Sequence, residues 1–242
     1  MIETEGLQKQ FGSRLVLSGV SFVARDGEIT GILGANGAGK TTILRIISNV
    51  LRPSAGDAQI DGRSVWTDSY AAQMRLGSML DHIGIYSRLT PRENLMYFAR
   101  LRRVPSDVIE QRVNDVLDLL GLRRFADTPT GGFSQGERMK VALGRVLVHQ
   151  PLNLVLDEPT NGLDILSIRN LRGSLKRMRN EGRCVVFSSH VLEEIQALCD
   201  RVVILCSGKI VAEGTVKEVC RQAGSSTLEE AFIHATSAEK QA

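Results

Sequence analysis

A chain of 242 residues with a net charge of +3 and 43% hydrophobic residues can bury a real core, and suits one domain with two lobes better than two separate folds. So balanced a charge leaves no basic footprint for nucleic acid, and apolar runs such as Val202-Val203-Ile204-Leu205-Cys206 fall far short of the roughly 20 residues that span a bilayer. Met1-Ile2-Glu3-Thr4-Glu5 does not read as a signal peptide, and Cys184, Cys199, Cys206 and Cys220 form no C-x-x-C pair, so a soluble protein of a reducing cytosol is expected.

Apolar and polar residues alternate over residues 2–9 and 20–25 and again over 57–60, which predicts short antiparallel strands. Residues 28–33 read as a strand and 42–47 as an amphipathic helix. Between them lies Gly34-Ala35-Asn36-Gly37-Ala38-Gly39-Lys40-Thr41, which fits G-x-x-x-x-G-K-[ST], the loop that cradles phosphates. Its glycines let successive backbone N–H groups converge on a polyphosphate. Lys40 supplies a point charge for the outer phosphates, and the Thr41 hydroxyl suits Mg²⁺. The helix that follows turns its positive end toward the same place.

Residues 91–150 read as helical. Thr90-Pro91-Arg92-Glu93 is a capping box with proline at the first helical position, and Val108, Val113, Val116, Leu117, Leu119 and Leu120 recur at helical spacing. Ser134 is placed to cap an amphipathic helix. Beyond residue 151 strands at 152–156, 184–188 and 202–206 alternate with helices at 164–179 and 191–198. Continuous apolar strands separated by helices predict an α/β fold with a mostly parallel sheet covered on both faces. Thr227-Leu228-Glu229-Glu230 opens a last helix with Leu228, Ala231 and Phe232 inward, and residues 236–242 are expected to form a flexible tail.

The strand at 152–156 runs into Asp157 and Glu158. Two adjacent carboxylates at the edge of a buried strand are costly unless a cation offsets them. Asp157 suits a water-mediated hold on Mg²⁺, while Glu158, expected on the opposite side of the strand, suits the polarisation of an attacking water.

Gly131-Gly132-Phe133-Ser134-Gln135-Gly136-Glu137-Arg138, Asn161-Gly162-Leu163-Asp164 and a strand ending at His190 complete an ordered series. With these motifs the chain resembles the ATP-binding subunits of ABC transporters, from about residue 2 to residue 235. The resemblance implies a phosphate-loop NTPase core with an antiparallel β subdomain and a helical subdomain at about 85–150, within a single domain spanning 1–235. It equates residues 34–42, including Asn36, Gly37, Ala38, Gly39, Lys40, Thr41 and Thr42, with the ATP-binding loop. Residues 152–157 match the second acidic motif, Glu158 the catalytic glutamate and His190 the switch histidine. It places Phe11 against adenine and Val16 at the ribose. Asp81 falls where the family has a magnesium-binding glutamine. The family's signature L-S-G-G-Q is altered at Phe133, Gln135 and Glu137, whereas Ser134 and Gly136 are kept.

The resemblance further implies ATP and Mg²⁺ as cofactors and a head-to-tail homodimer or paired ATPase subunit in which Ser134 acts on the partner's nucleotide. An integral membrane permease would dock near Tyr86, Leu89, Met96, Tyr97 and Phe98, holding the chain at the cytoplasmic face of the cell membrane, with no nucleic-acid partner. Residues 86–95 and 228–232 are similar to those of NatA-type exporters of sodium ion or drug-like compounds. A soluble non-transport ATPase of the same type, or a nucleotide-dependent regulatory module, is the alternative. The basic residues Arg169, Arg172, Lys176, Arg177 and Arg179 are expected to be a solvated helix face.

Overall fold

A computed structural model describes residues 1–80 and 84–241, with side chains to residue 237; Asp81 lies outside the described residues. The chain opens with strands β1 (Ile2–Phe11), β2 (Arg14–Ala24) and β3 (Ile29–Leu33) and helix α1 (Lys40–Ile47). Strands β4 (Ala55–Ile60) and β5 (Arg63–Ser64), helix α2 (Ser69–Met74) and strand β6 (Leu76–Met79) follow. Then come three helices, α3 (Pro91–Leu101), α4 (Ser106–Leu119) and α5 (Gln135–Leu147). The rest alternates: β7 (Asn153–Asp157), α6 (Ile165–Asn180), β8 (Cys184–Ser189), α7 (Leu192–Leu198) and β9 (Arg201–Cys206). Strand β10 (Lys209–Gly214) and helices α8 (Val216–Gln222) and α9 (Leu228–Gln241) close the chain.

Two sheets result. An antiparallel sheet runs β2-β1-β4-β5, and a larger one runs β10-β9-β3-β8-β7-β6 with every neighbouring pair parallel except β10 and β9. Every residue of β3, β7 and β8 is buried, which is why these strands read as unbroken apolar runs. Their side chains divide between two cores. Leu33, Leu154, Leu156 and Phe187 face the helices after β6, while Ile32, Val155, Val186 and Leu205 face α1 and the antiparallel sheet. Helices α3, α4 and α5 bring Leu95, Ala99, Val113, Leu117 and Leu143 into the first core, so the helical segment shares it. A Cβ on Gly144 would come within 3.1 Å of Leu95 and Val116 side-chain atoms, so α5 approaches α3 and α4 closely there.

The caps follow the sequence at two sites. Thr90 and Ser134 both form capping boxes, with Glu93 and Glu137. At Thr227 only half of one forms: the Glu230 amide donates to Thr227 Oγ1 at 3.2 Å, but the Glu230 carboxylate turns to the Ser226 amide. Helix α9 also differs from expectation, because it continues to Gln241 across most of the segment 236–242 expected as a tail. No glycine or proline interrupts residues 228–241, and their Ala, Glu, Lys and Gln favour helix. Elements β5, α2, β6, β10 and α8 carried no expectation. For α8 the signal was present, since Thr215 and Glu218 form a capping box.

His149 tests how burial sets stability at acid pH. Burial and the nearby Arg102 charge lower its pKa to about 4, although its Nε2 lies 3.3 Å from the Leu76 carbonyl oxygen. The unfolded chain therefore takes up a proton near pH 6.5 that the fold refuses. His149 costs nothing above pH 6.5, and stability falls by up to about 3 kcal/mol as pH drops from 6.5 toward 4. Urea unfolding at pH 7.5 and 4.5 should show a smaller loss for His149→Gln than for the parent; equal losses would mean the imidazole titrates freely.

Candidate nucleotide site

The loop between β3 and α1 borders a cavity of about 690 Å³, within the range of roughly 300–1,000 Å³ common for ligand sites. Asn36, Gly37, Gly39, Lys40, Thr41 and Thr42 line it; so do Asp157 and Glu158 from the end of β7, and Phe11 and Val16 from the antiparallel sheet. Residues far apart in sequence thus meet where the carboxyl ends of parallel strands converge. Ala38 is buried behind the wall. Its carbonyl accepts the Gly208 N–H at 3.0 Å, and the Gly208 carbonyl accepts the Ser18 N–H at 2.9 Å.

The backbone of the loop admits little but glycine at three points, Gly37 with φ 82° among them. Gly39 has φ 111°, and a Cβ there would sit 2.7 Å from Leu17 Cδ2; a Cβ on Gly34 would sit 2.6 Å from the Leu205 carbonyl oxygen. A Cβ on Gly37 would meet nothing within 4 Å, so that side of the loop stays open for a ligand to approach the amides. Lys40 is only 6% exposed. Its ammonium donates to the Gly34 carbonyl at 2.7 Å and pairs with Glu158 Oε1 at 3.6 Å.

Glu158 is not on the far side of the strand. The strand ends at Asp157, and Glu158 adopts φ 45°, a left-handed conformation that costs a non-glycine residue about 1 kcal/mol or more. Ser188 on the neighbouring strand explains how it is held. Asp157 and Ser188 are in register; the Ser188 hydroxyl donates to Asp157 Oδ1 and accepts the Glu158 N–H at 3.0 Å. The turn brings both carboxylates to one cavity. His190 Nδ1 lies 3.0 Å from both Glu158 oxygens, and a carboxylate can only accept, so that nitrogen carries the proton.

Thr41 and Asp157 present a hydroxyl and a carboxylate, the oxygen donors that magnesium prefers. Among the described residues no group of three or more His, Cys, Asp or Glu could hold a metal. A set this sparse suits an ion that brings most of its ligands with it as phosphate oxygens and water.

Ser134 and Gly136 are not on this wall. Ser134 caps α5, and Gly136 faces Gly162 and Leu163. Gln135 and Asn161, from two of the motifs in the ordered series, line the cavity, as do Arg14, Arg45 and Met139, which sequence reasoning did not single out. Phe11 is 49% exposed and belongs to neither core, with the Lys9 ammonium 5.0 Å from its ring centroid. Phe11→Ala should weaken ATP binding by about 1–3 kcal/mol, the usual worth of an aromatic–base stack, and leave binding of inorganic tripolyphosphate unchanged. Equal losses for both ligands in a calorimetric titration would show that the ring supports the loop and not a base.

A second surface gathers around Tyr86. Buried Asn94 donates to the Thr90 carbonyl at 3.0 Å and accepts the Tyr86 N–H, and Thr130 Oγ1 donates to the Tyr86 carbonyl at 3.0 Å. These bonds hold Tyr86 in an aromatic cluster with Tyr97 and Phe98, and the Arg145 guanidinium lies 3.7 Å from the Phe98 ring centroid. Tyr86 and Tyr97 are 47% and 45% exposed, while Leu89, Met96 and Phe98 are half-buried. Of the basic residues on α6, Arg169, Lys176 and Arg177 are exposed; Arg172 is half-buried, and Arg179 pairs with Asp200 at 2.9 Å.

Known proteins resemble this chain over most of its length. A family model described as ABC transporter matches residues 17–161. The ABC transporter ATP-binding protein NatA of Bacillus subtilis (strain 168) is 39% identical over 215 residues, covering 88% of this chain and 87% of that protein. The linearmycin resistance ATP-binding protein LnrL of the same organism is 32% identical, with 94% and 73% covered. A solved ATP-binding subunit of an ABC transporter superposes with a TM-score of 0.91 at 28% identity, covering 98% of this chain and 99% of that one.

Proposed function

This chain belongs to the ABC transporter family and is an ATP hydrolase of that type, and from that premise we propose that it powers an exporter as one half of a head-to-tail dimer. The observation that carries the reading is the division of the machinery. Lys40, Thr41, Asp157 and Glu158 line one cavity and His190 bonds to Glu158, while the capping serine of α5 does not line that cavity and bonds to none of these residues. A serine presented at a helix N-terminus but away from its own phosphate loop suits the nucleotide of a second copy.

In this reading the loop amides and Lys40 bind the polyphosphate, and Phe11 and Val16 hold the nucleoside. Mg²⁺, held by Thr41 and Asp157, with Asp81 as the third candidate ligand, would neutralise charge on the phosphates. Glu158 takes the proton of the attacking water, and His190 fixes the carboxylate's orientation through Nδ1–H. Ser188 keeps Asp157 and Glu158 apart and aimed.

No helix among the described residues is long and apolar enough to cross a membrane, so transport needs a permease. The exposed Tyr86 and Tyr97 beside Phe98 offer it a docking patch at the cytoplasmic face of the membrane. The cargo is a sodium ion or a drug-like compound; the relative named for linearmycin resistance favours the latter.

Mixing tests the dimer. Lys40→Ala and Ser134→Ala should each be inactive, yet a mixture should recover part of the hydrolysis, because a mixed dimer holds one intact pair of Lys40 and Ser134. No recovery at any ratio rules the arrangement out. For transport, inverted membrane vesicles carrying this chain and its permease should accumulate sodium or drug only with Mg-ATP.

A further inference from the structure

The Ser134 hydroxyl is already engaged. The Glu137 carboxylate accepts both the Ser134 N–H at 2.9 Å and the Ser134 Oγ–H at 3.1 Å. In return Ser134 Oγ accepts the Glu137 N–H at 3.3 Å. Among the described residues no cation lies within ion-pair distance of Glu137. The adjacent Arg138 guanidinium donates instead to the Gly131 carbonyl at 2.9 Å. The helix end that would otherwise attract an anion is therefore already occupied by a carboxylate of its own, within hydrogen-bond reach of its serine.

We propose that Glu137 opposes closure of the dimer by competing with the partner-bound terminal phosphate for Ser134, so that the isolated chain closes on ATP only weakly. The inference rests on the head-to-tail reading above. A terminal phosphate arriving at Ser134 must displace the carboxylate from the hydroxyl and then sit beside it, and like charges brought together at an interface oppose association. Glutamine at this position would still accept the Ser134 N–H and complete the capping box, while its amide would offer a donor to the phosphate. The charge is thus separable from the cap. Its effect is to hold idle hydrolysis down until something else, such as the permease, supplies the energy of closure.

The test uses Glu158→Gln as background, so that dimers accumulate. Adding Glu137→Gln should lower the ATP concentration for half-dimerisation at least about tenfold in light scattering. Its thermal melting should match the background. Adding Glu137→Asp, which keeps the charge, should give no gain. An unchanged or raised ATP requirement for Glu137→Gln overturns the inference, as does an equal gain for Glu137→Asp. The Lys40→Ala and Ser134→Ala mixture separates the two claims. If mixing restores hydrolysis and Glu137→Gln has no effect, only this inference falls; if mixing fails, both fall together.

Discussion

Glu158→Gln should bind ATP normally and hydrolyse it at least about 10²-fold more slowly, since a general base contributes about 10²–10⁴ to the rate. The substitution keeps the shape and can still accept the His190 Nδ1–H bond. What it loses is the charge that takes a proton from water and the ion pair to Lys40 at 3.6 Å. Nucleotide binding is spared because the loop amides, Lys40 and Thr41 are untouched. With hydrolysis blocked, Mg-ATP should shift the variant toward dimer in size-exclusion chromatography, while the parent returns to monomer as ATP is consumed. An unchanged rate would remove Glu158 from the role of base. Binding without turnover and without dimer would mean that the permease is needed to bring two copies together.

Lys40→Ala should weaken ATP binding by about 3 kcal/mol or more, roughly two orders of magnitude, as expected for the loss of charge-assisted hydrogen bonds to phosphate. Lys40 is the only side-chain cation in the loop. Its removal also takes a partner from the Gly34 carbonyl and from Glu158, so the empty loop loses internal bonds as well. Fold stability should change little beside the change in affinity. Isothermal titration with Mg-ATP reads the result, and full retention of affinity would place the nucleotide elsewhere.

These residues differ in how plainly the sequence announced them. Gly39 and Lys40 were legible because a phosphate loop is a local object: its turn, its charge and its helix start lie within a few residues. The parallel strands were legible for a similar reason, since burial on both faces leaves an unbroken apolar run. Ser188 was hidden because its role depends on lying opposite Asp157 across a strand pair, which no spacing within either strand records. The left-handed turn at Glu158 was hidden too. The residue before a proline ordinarily favours an extended backbone, and this one is held by the Ser188 hydroxyl on its N–H, brought by another strand, and by the Asn161 N–H on its carbonyl. Strand β10 lies at the sheet edge, its middle residues half-buried between exposed Lys209 and Glu213, so it lacks both the continuous run and the clean alternation that marked its neighbours.

The bond between Gly208 and Ala38 sets an order of assembly. The phosphate loop leaves the ribosome early, but the amide that holds the Ala38 carbonyl belongs to the turn after β9. Contacts so distant along the chain form late and slowly, because a long segment must close before they are rewarded. A nascent chain stopped short of β10 therefore carries the whole nucleotide-binding motif without the backbone bond that braces it. ATP arriving during synthesis meets a loop whose Ala38 brace is complete only when most of the protein has been made.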